Sequence, residues 1–389
     1  MTIKDVILKE IKGIWGNPPV EGELSTPVIK TNNMTYEGYI DYDDITYRSI
    51  PDNKIASCFL KRGDLLVEKS GGTKTHSVGY VNIFNKENDV FVCNNFIVGL
   101  RPDNTVILSE YLFFQMKYFY EIGIFSDCYN KTTGIQNLQL QTYLSKPIVC
   151  PEKAEQKKVV STLSNIVKAL DNKKEQLKKL DELIQSKFYE MFGDIVTNKK
   201  GWPIEKLEDV GSFARGVSRH RPRNAPELLG GTMPLIQTGD IANAGMYITT
   251  YSTTYSDLGV LQSKVWPAGT LCITIAANIG KCSILTFDAC FPDSVVGYTI
   301  KQNKIKNEFV YYLFGELQAI LEANALGVAQ KNINLKTLNS LEVPLPPLPL
   351  QQAFAAYVEK VEQAKAIVNQ EIAHLQELLD SRMDFYFRK

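Results

Sequence analysis

Five basic side chains fall within nine residues in the second half of this 389-residue chain: Arg215, Arg219, His220, Arg221 and Arg223, interspersed with Gly216 and Pro222. A guanidinium is a planar fork of donors that fits a phosphate or the edge of guanine, so a loop carrying several suits nucleic acid. The alternative is a solvated loop with scattered counterions. Other candidates are spread along the chain. Gln237 lies in PLIQTGDI, Lys131 in KTTGIQN, and Gln330 with Lys331 in AQKN. Amide side chains such as these can read adenine edges or cap turns, and for Asn137 and Asn332 capping stays open. Lys69, Lys74 and Lys281 complete the set of candidate DNA contacts.

Residues able to make or break bonds do not assemble. Asn17, Pro18, Pro19 and Val20 resemble the base-holding loop of adenine methyltransferases, but Val20 replaces the aromatic and no glycine-rich loop for a methyl donor follows a strand. Gly280 and Lys281 are followed by Cys282, not by the Ser or Thr of a phosphate loop, and SGGTKT (70–75) lacks the spacing. His76, His220 and His374 are isolated in sequence. Val67, Glu68 and Lys69 miss the residue that a carboxylate nuclease pattern places between Glu and Lys. The expectation is a non-enzymatic chain without cofactor or metal.

The elements that carry the candidates repeat. Shifted by 195 residues, Asn137, Leu138, Leu140 and Thr142 fall on Asn332, Ile333, Leu335 and Thr337, and Pro151 and Gln156 fall on Pro346 and Gln351. Nearer the start of each half the shift is 207, laying PVIKTNNM from Pro27 over PLIQTGDI from Pro234; around Gly63 and Gly269 it is 206. The chain is a tandem duplication, with a length difference expected between Gly63 and Asn137. Lys69, Lys74 and Lys281 lie in the divergent middles, where two copies reading different targets would differ.

Each half begins with short β-rich runs, such as Leu65 to Glu68, Leu271 to Ile275 and Leu207 to Phe213, and ends in a helical segment of about 40 residues. In the first helix the apolar seam is Val159, Leu163, Ile166, Leu170, Leu177, Leu180 and Ile184, interrupted at Lys173. In the second it is Phe354, Val358, Val361, Val368, Ile372, Leu375 and Leu379, interrupted at Lys365. Two equivalent heptad stripes in one chain are natural partners, which predicts an intramolecular antiparallel coiled coil about 55 Å long. The prolines before each helix read as rigid joints. The expected divisions are 1–150 and 194–347 for the globular parts, and 151–193 and 348–389 for the helices.

Composition limits the alternatives. Lys plus Arg equal Asp plus Glu at 43 each, which argues against a strongly basic DNA binder for the chain as a whole and leaves local basic faces open. Seven cysteines without a CxxC pair, no long apolar run and no basic leader point to a soluble cytoplasmic protein with reduced thiols.

Taken together, the chain resembles a specificity subunit of a type I restriction-modification enzyme. Trp202 followed by LEDV (207–210), PLIQTGDI (234–241), AQKNINLKTL (329–338) and VPLPPLPLQQ (343–352) carry the resemblance; the first half lacks the tryptophan and has PIVCPEKAEQ in place of the proline run. The resemblance implies an α/β (α+β) fold of two pseudo-repeated target recognition domains, joined by two long antiparallel helices forming a coiled-coil spacer. It implies that double-stranded DNA is read as a split, asymmetric site, that two methyltransferase subunits are bound, and that restriction subunits join through the complex. The competing class is a scaffold that tethers proteins, not DNA, on the same spacer. A third, a specificity domain serving a single-chain restriction enzyme, conflicts with the lack of a catalytic segment.

Overall fold

The computed structural model describes all residues except 20, 21, 23, 24, 74, 88, 131–134, 276–279, 302, 303, 327–334 and 389, and the side chains of 319–326 are likewise outside the description. Two compact units are present, one of Met1–Lys174 with Gln370–Lys389 and one of Glu175–Asn369.

In the first unit an antiparallel sheet runs in the order Ile7–Lys12, Ile97–Pro102, Leu65–Glu68, Val81–Ile83. Leu65–Glu68 reads in sequence as an alternating strand, yet all four residues are buried. The strand is interior to the sheet and covered on both faces. Leu65 and Val67 enter a core with the helix Ser109–Glu121, whereas Leu66 enters a core shared with a smaller sheet of Thr46–Arg48, Thr26–Ile29 and Val92–Cys93.

The second unit repeats this plan. Its main sheet is ordered Gly211–Arg215, Val295–Ile300, Leu271–Thr274, Cys282–Leu285, Tyr247–Ile248, and the smaller one contains Thr253–Tyr255, Leu229–Leu235, Ala289–Cys290 and Val265–Trp266. Leu271 and Ile273 face the helix Asn307–Leu326, while Cys272 faces Trp266 and Ile236. Gly63 and Gly269 turn the chain into the equivalent central strands at φ of +89° and +83°, a conformation that glycine adopts without strain. One expectation fails here: Leu207 to Phe213 is not a single strand. Leu207–Val210 forms a helical turn that buries Leu207 and Val210 one turn apart, and the strand starts at Gly211.

Strand register shows where the halves differ in length. Leu65 pairs with Ile83 and Leu100, and Leu271 pairs with Ile284 and Tyr298, so the offset is 206, then 201, then 198. It reaches 195 at the short helices Leu140–Leu144 and Leu335–Asn339. The 11-residue difference is therefore shed in three connections, the largest step between Leu65–Glu68 and Val81–Ile83 in the first unit and between Leu271–Thr274 and Cys282–Leu285 in the second.

The two long helices are Lys153–Phe192 and Leu348–Phe387, 40 residues each. In the first unit Val159, Leu163, Ile166 and Leu170 share a core with Leu379, Met383 and Phe387, with Ile372 and Leu375 packed against it. In the second, Ile184, Phe188 and Phe192 share one with Phe354, Val358 and Val361. There the ring of Phe354 lies 5.5 Å from Phe188, and Lys365 bonds Asp181 at 2.7 Å, so residue numbers rise along one helix as they fall along the other: the pair is antiparallel. Leu177 is half-buried, Leu180 is partly buried against the second core, and Val368 is buried. Both polar interruptions are paired across the seam: Lys173 bonds Glu371 at 2.8 Å in the first unit, and Lys365 bonds Asp181 in the second.

Each long helix is fastened at its start by an equivalent buried glutamine. Gln156 accepts from the Leu108 backbone N–H at 2.8 Å and donates to the Pro151 carbonyl at 2.8 Å. Gln351 accepts from Lys306 N–H at 2.9 Å and donates to the Pro346 carbonyl at 2.8 Å. The proline joints are thus tied both to the helix they precede and to the residue just ahead of Ser109–Glu121 in one unit and of Asn307–Leu326 in the other.

Candidate nucleic-acid interface

The arginine loop leaves the edge of the second unit's main sheet, where Gly211–Arg215 pairs with Val295–Ile300. Arg215, Arg219, Arg221 and Arg223 are all exposed. The side-chain oxygen of Gln262 accepts from the backbone N–H of Arg219 at 2.7 Å and of His220 at 3.0 Å, which fixes the loop's path.

The four guanidiniums divide into two kinds. Arg223 bonds Asp293 at 2.6 Å, and Arg221 lies 3.7 Å from the same carboxylate while donating to the carbonyls of Ser218 and His220. These two are anchored. Arg215 and Arg219 have no ion pair among the described residues, so their charge is available to a phosphate. Asp293 was not a sequence candidate, because its partners lie some 70 residues earlier and only the fold brings them together.

Beside the loop is a cleft of about 260 Å³, walled by Ser218, Arg223, Gln237, Thr238, Tyr255 and Ser294 among others. Gln237 is exposed at its rim, just before the helix Thr238–Asn243, and the Asp240 carboxylate accepts its backbone N–H at 2.8 Å. Its side chain in turn meets the Asp240 backbone N–H in a capping box, which holds it at the start of that helix. The Ser218 hydroxyl in the wall is buried and has no hydrogen-bond partner among the described residues. Arg223, the Gln237 amide and the unpartnered Ser218 hydroxyl converge on one opening with donors and acceptors that base edges and phosphates require.

The remaining candidates are not gathered there. Lys281 is exposed and borders a different cavity, of about 570 Å³, with Tyr311, Glu316 and Lys365. In the first unit Lys69 is half-buried; its N–H donates to the Phe96 carbonyl at 2.8 Å and its carbonyl accepts from Leu138. Asn137 lies in the strand Gln136–Leu138, where its side-chain oxygen accepts from the Ser70 hydroxyl at 2.8 Å, so it braces a sheet and does not cap a turn. Lys74, Lys131, Gln330 and Lys331 lie outside the described residues, as does Asn332. Asn17 exchanges backbone hydrogen bonds with Ser49, and Val20 is outside the description.

Glu68 enters the sequence reading only through a nuclease pattern that fails, which does not report its burial. It is buried; one oxygen meets the Gly72 N–H at 3.4 Å and the other has no partner among the described residues. Loss of solvent pushes its carboxyl up to about 7. Nearby His76 stacks on Tyr36 with ring centres 3.8 Å apart. Among the described residues no group of three or more His, Cys, Asp or Glu is placed to hold a metal, and no helix is long and apolar enough to cross a membrane.

Comparison with known proteins bears on this arrangement. The family described as type I restriction modification DNA specificity domain matches twice, over residues 14–182 and 199–377. A Methanocaldococcus jannaschii chain provisionally named the MjaX type I restriction enzyme specificity subunit is 21% identical over 353 residues, 87% of this chain and 81% of that one. The MjaIX specificity subunit of the same organism is 28% identical over 171 residues, 42% of this chain and 38% of that one. Among solved structures, the S subunit of a type I restriction-modification system from M. genitalium matches with a TM-score of 0.57 and 16% identity, covering 98% of this chain and 94% of that one. A chain from a study of complex assembly and conformational transition in a type I system matches at 0.55 and 16%, covering 99% and 96%. These structural likenesses concern the fold.

Proposed function

The chain belongs to the type I restriction modification DNA specificity family, whose domain matches it twice over most of its length, and from that premise we propose how its halves divide the work. The protein is the DNA specificity subunit of a type I restriction-modification complex. Each unit reads one half of a split, asymmetric site, and the helix pair sets the number of unread base pairs between them. One non-identical reader per half is what an asymmetric site requires, because two identical readers on a dyad would specify a palindrome. The observation that carries the reading is the double family match, joined to a repeated scaffold whose loops differ.

The subunit performs no chemistry in this reading. It aims the base flipping and methyl transfer of two bound methyltransferase subunits, and restriction subunits join through that assembly. Its work is in the cytoplasm, with which seven unpaired cysteines accord.

In the second unit Arg215 and Arg219 supply phosphate contacts, and Gln237 supplies base contact. The test is a titration of the assembled complex against its DNA over a range of salt. Replacing both arginines by Ala should weaken binding to all sequences alike and lower the slope of log affinity against log salt by about one for each phosphate left without its arginine. An unchanged slope would remove these two residues from the interface.

A further inference from the structure

The cleft beside the arginine loop has a counterpart in the first unit. Following the strand register, Ile11 opposite Gly99 matches Ala214 opposite Gly297, which carries Trp15 onto Ser218. Thr26 opposite Arg48 matches Met233 opposite Tyr255, which carries Lys30 and Thr31 onto Gln237 and Thr238. Leu100 matches Tyr298, which carries Asn94 and Phe96 onto Pro292 and Ser294. Trp15, Lys30, Thr31, Asn94 and Phe96 all line one cleft of about 330 Å³, and all five of their equivalents line the second unit's cleft. Neither opening is an accident of one loop: the scaffold builds it twice. The linings, by contrast, share only the threonine.

We propose that the first unit reads its half of the DNA site through this cleft, with Asn32, Asn95 and Phe96 as its specificity-determining residues. The inference rests on the reading of the protein as a DNA specificity subunit. Asn32, Asn95 and Phe96 stand exposed at the opening, and Phe96 is 52% exposed although its ring is apolar. An amide is the side chain that pairs with both the donor and acceptor of an adenine edge, and a ring on a polar rim can contact a thymine methyl or stack on a base. The wall behind them carries positive charge. Arg48 stacks on Trp15 at 4.2 Å with its Nε buried and unpartnered among the described residues, while Lys30 meets the exposed Asp44 at 3.2 Å. Lys69, placed by its hydrogen bond to Phe96, adjoins the same rim.

The test uses the full chain assembled with its methyltransferase partners, acting on DNA libraries randomised at one position at a time. Asn32→Ala and the double change Asn95→Ala with Phe96→Ala should each relax discrimination at first-half positions, by the order of tenfold, while second-half positions stay as selective as before. That retained selectivity also reports that the complex is folded. Gln237→Ala should do the reverse. Wild-type selectivity in both halves, kept within twofold by both first-unit variants, would overturn the cleft assignment and leave the specificity reading standing. A wild-type complex with no sequence preference would overturn both.

Discussion

Glu68 sits where the chain enters its most divergent loop, with a single weak backbone donor and no counterion among the described residues for its buried carboxyl. Because burial lifts its proton affinity from an ordinary value of 4.5 to about 7, the folded state binds a proton that the unfolded chain releases. The sign follows: the stability it lends is fully present below about pH 4.5 and is lost as pH rises to about 7. Glu68→Gln keeps the shape without the ionisation. It should flatten the decline of melting temperature between pH 5 and 8 and leave the variant more stable than wild type above pH 7, by about 1 kcal/mol. Parallel pH profiles for the two proteins would show that the carboxyl is solvated or paired when folded. The same residue shows a limit of the sequence: Glu68 reads as half of a failed nuclease motif, and nothing in VEKSGG reports that its side chain turns inward against Gly71 and Gly72. Gln156 and Gln351 are visible as repeat matches, but their role in fastening the helices depends on carbonyls that the fold supplies.

Among elements, the long helices were the most legible, because an apolar residue every three or four positions leaves a continuous stripe whatever surrounds it. The stripe runs further than the seam read from sequence: Phe188, Phe192, Met383 and Phe387 are buried as well. A fully buried Phe such as Phe354 contributes about 1.5–3 kcal/mol, so the helix ends are set by aromatic packing as well as by leucine-zipper spacing. Most strands of the smaller sheets were not legible, since runs of two or three residues are too short to show alternation. Nor were the paired clefts, whose equivalence is hidden by an offset that changes with every connection. The helix pair carries its own prediction. Seven added residues lengthen a helix by about 10 Å, so one heptad inserted into both should add of the order of three base pairs between half-sites at about 3.4 Å each. The recognised bases should stay the same. Selection of the preferred spacing from a library checks it, and an unchanged spacing would refute the ruler.

For the whole molecule, equal numbers of acidic and basic residues acquire a meaning that composition alone lacked. Some of the basic charge is held by carboxylates of the same chain: Lys173 and Lys365 bridge the helices, and Arg221 and Arg223 meet Asp293. With no net positive charge to displace counterions from DNA, the isolated chain should depend on its partner subunits for affinity while itself supplying the choice of sequence. The central claim is that choice: one chain with two unlike readers defines one split, asymmetric target. Mapping adenine methylation across a host genome, with and without this gene, tests it most directly. The account predicts one bipartite motif, methylated in the presence of the gene and lost with its deletion; an unchanged methylation map in a host whose partner methyltransferase is active would contradict it.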